Sequence, residues 1–213
     1  MKKVIKMRKQ PRIMSVLDEA AELKRGQFHQ MFDLQIKDLE NHEDLDELEF
    51  NGCVFEKVNF NQCDFSHAAL IDCVLDHCDL SNVDLTKSCF RRVVFQQCNL
   101  VGVDVSQCVM EDVLIERCNA RLSNFSGAQM KNCEWKESRF DEASFNECRI
   151  KDHTIKECSL IASEFHHTPL KQLDFSNSNI EGIALSATEL KGVIVSPYQA
   201  VSLAKLLGIV IKD

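Results

Sequence analysis

The chain has 213 residues, of which 45% are hydrophobic and 27% charged, with a net charge of −8 and eleven cysteines. This is the balance of a soluble domain with one sizeable core. No apolar run approaches the length of a membrane span, and an acidic excess opposes general binding to nucleic acid, whose phosphates demand Lys and Arg.

The chain opens on a basic tail, residues 1–14: Met1 to Ile13 hold six bases (Lys2, Lys3, Lys6, Arg8, Lys9, Arg12) and no acid. The remaining residues carry 19 bases against 33 acids, a net of −14. The tail lacks the continuous apolar core of a secretory signal, so a cytoplasmic location is expected. It reads as disordered, with Met7 or Met14 as alternative starts. Residues 15–44 form an N-terminal segment and cap. Within it "SVLDEAAELKRG" fits a short helix from Ser15 closed by Gly26. Seven acids in the twelve residues Asp38 to Glu49 read as a solvated edge.

From Leu45 to Val195 every fifth residue is apolar, thirty-one in succession without an insertion, and eleven of the thirteen Phe fall in this register. The core centres include Phe55, Phe60, Phe65, Phe95, Phe125, Phe140, Phe145 and Phe165. Neither a helix nor a flat strand returns one face every five residues, so the chain must turn a corner once per pentapeptide. Two residues before each centre stands a mostly small residue, and large and small inward positions alternate to fill a narrow interior. Ten cysteines (53, 63, 73, 78, 98, 108, 118, 133, 148, 158) occupy that small position, interchangeable with Ala, Val and Ser; Cys89 does not. Their dispersal matches no metal site, and they read as small buried hydrophobes in a reducing compartment. No metal, cofactor or catalytic residues are assigned, and the chain is not read as an enzyme. The seven His show no catalytic arrangement, and His153, at a small inward position, is expected to be hydrogen-bonded.

The units "CDFSH", "CDLSN", "VDLTK", "CNLVG", "VDVSQ", "SNFSG" and "LDFSN" resemble the pentapeptide repeat proteins. The resemblance implies an all-β fold, a right-handed quadrilateral β-helix with four pentapeptides per coil. Residues 45–195 would then make about eight coils, a rod of about 38 Å at ~4.8 Å per coil.

Residues 196–213, "SPYQAVSLAKLLGIVIKD", follow the last coil. Ser196 suits an N-cap, Pro197 the first helical position and Gly208 the stop, after which "GIVIKD" reads as a short strand. This arrangement, with the segment "GQFHQMFDLQIKDLENHEDLDELEF", is similar to the chromosomal Qnr-type quinolone-resistance proteins of Gram-positive bacteria, whose chains pair tail to tail. That resemblance implies a homodimer through Leu203, Leu206, Leu207, Ile209 and Ile211. It also implies a DNA mimic that binds DNA gyrase, and topoisomerase IV as a further candidate, and protects it from fluoroquinolones. The unbroken register leaves no room for the long projecting loops of the proteobacterial members.

On four sides, residues twenty apart stack. One column holds Asp44, Asp64, Asp84 and Asp104, continued by Asn124, Ser144 and Glu164. Two readings stand: a rail of negative charge that imitates duplex backbone, or side chains that hydrogen-bond corner amides. A second column carries Lys131, Lys151, Lys171 and Lys191, beside Asp112, Asn132 and Asp152. B-DNA carries one charge per roughly 1.7 Å, so a dimer rod of about 76 Å would need on the order of 45 charges to match it, well beyond twice −14. A few placed acids would have to steer the partner. The alternative function is a structural or interaction scaffold whose partner is not a topoisomerase.

Overall fold

A computed structural model describes residues 7–20, 23, 29–41 and 44–212. Met1 to Lys6, Glu43 and the proposed helix stop Gly26 lie outside the described residues.

The chain winds as a four-sided parallel β-solenoid. One strand face is the sheet β1 (Asp18–Ala20), β3 (Leu34–Lys37), β5 (Val54–Glu56), β7 (Val74–Asp76), β9 (Val94–Gln96), β11 (Leu114–Glu116), β13 (Glu134–Lys136), β15 (Thr154–Lys156). The adjoining strand face is β2 (Gln30–Phe32), β4 (Glu49–Asn51), β6 (Ala69–Ile71), β8 (Cys89–Arg91), β10 (Val109–Glu111), β12 (Gln129–Lys131), β14 (Arg149–Lys151). Pairing is parallel with a twenty-residue offset, as in Met110 opposite Met130. The other two sides are bridge faces, with single-residue ladders through Asn59, Asp79, Asn99 and Asn119 and through Asp64, Asp84, Asp104 and Asn124.

A recurrent backbone state turns the corners. The residue two places after a centre lies in the left-handed region through most of the rod, from Lys57 (φ 55°) and Gln62 (φ 64°) to Gln172 (φ 70°). After the bridge-face centres the turn also closes an i→i+3 bond: the Cys63 N–H donates to Phe60 O at 2.9 Å and the Ala68 N–H to Phe65 O at 3.1 Å. A positive φ at the third residue of such a turn is easiest for Gly, Asn and Asp. Gly52, Gly102 and Gly127 occur there, and most of the others are polar; Leu122 and Ala162 are the apolar exceptions.

All centres from Leu45 to Val195 are buried except the half-buried Ile150, Leu190 and Val195. Aromatic rings tie successive coils together. Phe125 stacks on Phe145 (centroids 4.9 Å apart) and Phe145 on Phe165 (4.7 Å), while Phe50, Phe55, Phe60 and Phe65 meet around one coil at 5.1–6.1 Å.

The N-terminal side differs from expectation in three ways. Asp18–Ala20 is a strand, not part of a helix, and pairs with Leu34–Ile36. The open edge of β3 offers unpaired backbone groups, and satisfying them outweighs the weak propensity of an isolated short helix. The solenoid also begins before Leu45. Met31 pairs with Phe50 and Ile36 with Phe55 at an offset of nineteen, so one residue is missing between buried Asn41 and Leu45, and the five-residue pattern breaks there. Finally, the described part of the basic tail is not loose: residues 7–12 lie along a corner of the rod, held by Asp72, Asp112 and Asn132.

At the other end Ser196 caps the helix α1 (Pro197–Ala204) in a reciprocal capping box with Gln199, and Lys205–Leu207 tightens into a 3-10 turn ended by Gly208 at φ 72°. The residues after Gly208 enter no strand ladder among the described residues, contrary to the expected short strand. No helix among the described residues is long and apolar enough to cross a membrane.

Candidate functional site

Asp64, Asp84 and Asp104 form consecutive rungs on one bridge face, and Asp44 lies one coil earlier, its Oδ1 accepting the Asp64 N–H at 3.0 Å. Each carboxylate also serves its own corner. Oδ1 of Asp64 accepts the Ser66 N–H at 2.7 Å, that of Asp84 the Thr86 N–H at 2.8 Å, and that of Asp104 the Ser106 N–H at 2.8 Å. Asn124 makes the same bond to Ser126 at 3.0 Å and donates its amide to both oxygens of Asp104. The corner role is therefore part of the geometry, and it requires an acceptor rather than a charge. In Asp64 and Asp84 that bond engages Oδ1 and leaves the second oxygen outside it. The four aspartates share one side of the early coils, whereas Glu164 lies three coils beyond Asp104, about 14 Å along the rod.

The lysine column is partly neutralised, by a neighbour the sequence reading did not name. Lys131 pairs with Glu111 at 2.5 Å, one coil earlier on its own face, and Lys136 with Glu116 at 2.5 Å. Both lysines are raised above their ordinary pKa, and both glutamates lowered, by these hydrogen bonds. The charges of Asp112 and Asp152 add a smaller part to the rise of Lys131, while the Asp112 carboxylate itself accepts from the Asn132 amide and from the Lys9 N–H.

The ten inward cysteines are buried and free, and Cys89 is exposed. They are more than small hydrophobes. Thiols donate to the carbonyl of a centre on the preceding coil, Cys108 to Leu85 O at 2.9 Å and Cys148 to Phe125 O at 3.0 Å. Ser88 and Thr168 make the same bond with their hydroxyls, to Phe65 O at 2.9 Å and Phe145 O at 2.5 Å. Burial pushes the Cys108, Cys133 and Cys148 thiols up to about 12 and Cys158 to about 11, so these groups stay protonated at neutral pH. Among the described residues no group of His, Cys, Asp and Glu is arranged to hold a metal ion.

His153 is buried against Trp135, the ring centroids 4.3 Å apart and edge-on, and neither ring nitrogen meets a hydrogen-bond partner. The expected hydrogen bond is absent because the small position faces the apolar interior. Burial alone drives its pKa down to about 3, so it is neutral.

The residues read as a dimer surface divide. Leu203 is buried on its own chain's last coils, while Leu206, Leu207, Ile209 and Ile211 are about half exposed. The Gln199 side chain seats the helix by donating to Phe175 O at 2.9 Å and Ser178 O at 2.7 Å, which turns Leu203 inward. Tyr198 and Val210, 84% and 83% exposed, join the apolar tip; Tyr198 was missed because helical periodicity alone does not say which face the rod covers, and Val210 lies past Gly208, where the segment enters no strand ladder among the described residues.

The column that begins Asp112 and Asn132 in the sequence extends two coils further back, through Arg92 and Asp72. Asp72, Arg92, Asp112 and Asn132, at successive left-handed corners between the two strand faces, are each buried. The Arg92 guanidinium grips Asp72 through Nε and Nη2, both at 2.5 Å. An acid, a base, an acid and an amide at twenty-residue intervals were the available signal.

No curated protein matches the chain. Among solved structures, a trypsin-treated variant of QnrB1, a plasmid-mediated fluoroquinolone resistance protein, is 23% identical over 94% of this chain and 98% of that one, with a TM-score of 0.42. HetL, from the cyanobacterium Nostoc sp. strain PCC 7120 and involved in heterocyst differentiation regulation, is 14% identical over 81% and 92%, at 0.35. A thylakoid-lumen protein of Arabidopsis thaliana is 15% identical over 70% and 75%, also at 0.35. The family model described as "Pentapeptide repeat region" matches residues 74–139 and 128–197, and that described as "Pentapeptide repeats (8 copies)" matches residues 49–86. With its five-residue register and four-sided coil, the chain belongs to the pentapeptide repeat family.

Proposed function

We propose that this protein is a non-enzymatic DNA mimic that binds DNA gyrase, with topoisomerase IV as a second target, and protects the enzyme from fluoroquinolones. The observation that carries the reading is the run Asp44, Asp64, Asp84, Asp104, stacked on one side of the rod with Asp44 and Asp84 exposed. One acid per ~4.8 Å of rod compares with one phosphate per ~3.4 Å along a single DNA strand, so the column supplies roughly 70% of the local charge density of one strand. Over a short stretch that is enough to steer a basic surface. The total-charge deficit counts against imitation of the whole duplex and confines the claim to this face.

The apolar tip of Leu206, Leu207, Ile209, Val210 and Ile211 would join two rods tail to tail and lengthen the mimic. A gyrase partner would place the protein in the bacterial cytoplasm, and the solenoid and residues 196–213 would then divide into rod and dimerisation segment. The test is a gyrase supercoiling assay with ciprofloxacin, titrating the protein. Rescue at low protein with inhibition at high protein is expected, and no effect across the titration defeats the reading. A second reading, a scaffold for a non-topoisomerase partner, is favoured by the corner role of the same aspartates, which Asn124 fulfils without charge. A flat titration would select it.

A further inference from the structure

Residues 7–12 are held by few bonds. The Lys9 N–H donates to Asp112 Oδ1 at 3.0 Å, the Arg12 N–H donates to Asp72 Oδ1 at 2.9 Å, and Met7 O accepts from the Asn132 amide at 3.3 Å. Read along the segment, the partners step backwards through the coils, so the arm runs antiparallel to the direction in which the rod grows. The two lengths agree. Three extended residues from Lys9 to Arg12 span about 10 Å, and the two coils from Asp112 to Asp72 about 9.6 Å. Pro11 lies between the two donors, where no N–H is used, and it biases Gln10 towards the extended conformation.

The receiving column is complete without the arm. Asp72 is neutralised by the bidentate Arg92, and Asp112 accepts from Asn132, so both carboxylates are already fixed in position. Each still presents an oxygen to an amide passing over the corner, in register with every third residue of an extended chain. Basic side chains meet acidic flanks: the Arg8 guanidinium is half-buried, which lowers its pKa, and the nearby charges of Glu134, Asp112 and Glu116 oppose that shift, while its Nη1 and Nη2 donate within the arm to Lys9 O at 3.2 Å and Gln10 Oε1 at 3.1 Å. A cavity of about 340 Å³ bounded by Arg8, Asn132, Cys133, Glu134 and Thr154 leaves space along this contact.

We propose that the corner built by Asp72, Arg92, Asp112 and Asn132 is a binding site for an extended basic peptide segment, and that residues 7–12 are its displaceable occupant. Recognition rests on backbone N–H groups three residues apart meeting carboxylates two coils apart, with Arg or Lys side chains flanking them. It is separate from the acidic column, which lies across the rod on a bridge face, and does not depend on the gyrase reading.

The test uses a fluorescein-labelled peptide of residues 7–13 and a second peptide N-methylated at Lys9 and Arg12, which keeps every charge and loses both donors. Fluorescence anisotropy is recorded with the full chain and with a chain beginning at Met14. The shortened chain should bind the unmodified peptide at least tenfold more tightly than the full chain does, and N-methylation should weaken that binding by about tenfold or more, as expected for two hydrogen bonds to charged acceptors. Equal binding of the two peptides would reduce the contact to nonspecific charge and overturn the proposal. So would no binding by a shortened chain whose circular dichroism and Tm match the full chain. Should the shortened chain not fold, hydrogen exchange on the full chain decides. Protection of the Lys9 and Arg12 amides that is lost on adding excess unmodified peptide supports the site, and unprotected amides, or protection the peptide leaves unchanged, refute it.

Discussion

His153 makes the interior of the rod measurable through pH. Its folded pKa is about 3 against an ordinary 6.5, with burial as the cause. For a base with a lowered folded pKa, the unfolded chain takes up the proton first. The stability that neutral His153 permits is therefore intact above pH 6.5 and lost as pH falls from 6.5 towards 3. At pH 5 the unfolded state gains about 1.5 pH units of protonation free energy, on the order of 2 kcal/mol, while the folded state gains almost nothing. His153→Leu removes this dependence, and Leu already occupies the equivalent inward position at Leu48 and Leu173. At pH 8 the variant sheds two unpartnered polar atoms, worth about 1–3 kcal/mol, and loses an aromatic edge contact with Trp135 worth about 0.5–1.5 kcal/mol. It should be level with the parent or slightly more stable. Thermal melts at pH 8 and pH 5 would show the parent losing more than the variant by about 4–8 °C in Tm, from ~2 kcal/mol at roughly 2–4 °C per kcal/mol for a chain of this size. Carboxylates lowered by their partners, such as Asp72 and Asp141, affect both proteins alike and cancel in the difference. Parallel pH profiles for the two proteins would refute the burial of a neutral, unpaired imidazole.

Further expectations rest on other parts of the rod. The triple change Asp64→Asn, Asp84→Asn, Asp104→Asn keeps the corner acceptors and removes three stacked charges, so Tm should hold or rise while gyrase inhibition weakens; a Tm loss of several degrees would show that the corners need charge. Leu122→Gly relieves a left-handed backbone at a residue with a Cβ and should stabilise by about 1 kcal/mol in chemical denaturation. A thiol reagent at pH 8 should label Cys89 alone in the native protein and all eleven thiols after denaturation; rapid labelling of a second native thiol would contradict the buried ladder. Leu206→Asp with Ile209→Asp should convert a dimer into a monomer by light scattering without moving Tm by more than a few degrees, whereas Leu203→Ala should cost about 2–4 kcal/mol in stability because that side chain is buried within its own chain.

The five-residue register, the inward cysteines and the helix between Ser196 and Gly208 were legible in the sequence because each is a local, repeated or terminal signal, whereas the four sides of the coil came from the resemblance to pentapeptide repeat proteins. With four sides taken from that resemblance, residues twenty apart stack, so the column of Asp44, Asp64, Asp84 and Asp104 could be assembled before any coordinates. Tertiary structure decided what lies outside the repeat. The arm of residues 7–12 meets carboxylates 60 and 103 residues away, and no periodicity links those positions. Asp18–Ala20 became a strand because it had an edge to cover, and Leu203 turned inward because the Gln199 amide reaches the Phe175 and Ser178 carbonyls of the last coils. A repeating sequence specifies its own stack, since every unit meets a copy of itself. A segment without a repeat is placed by whichever unsatisfied surface of that stack it can complete.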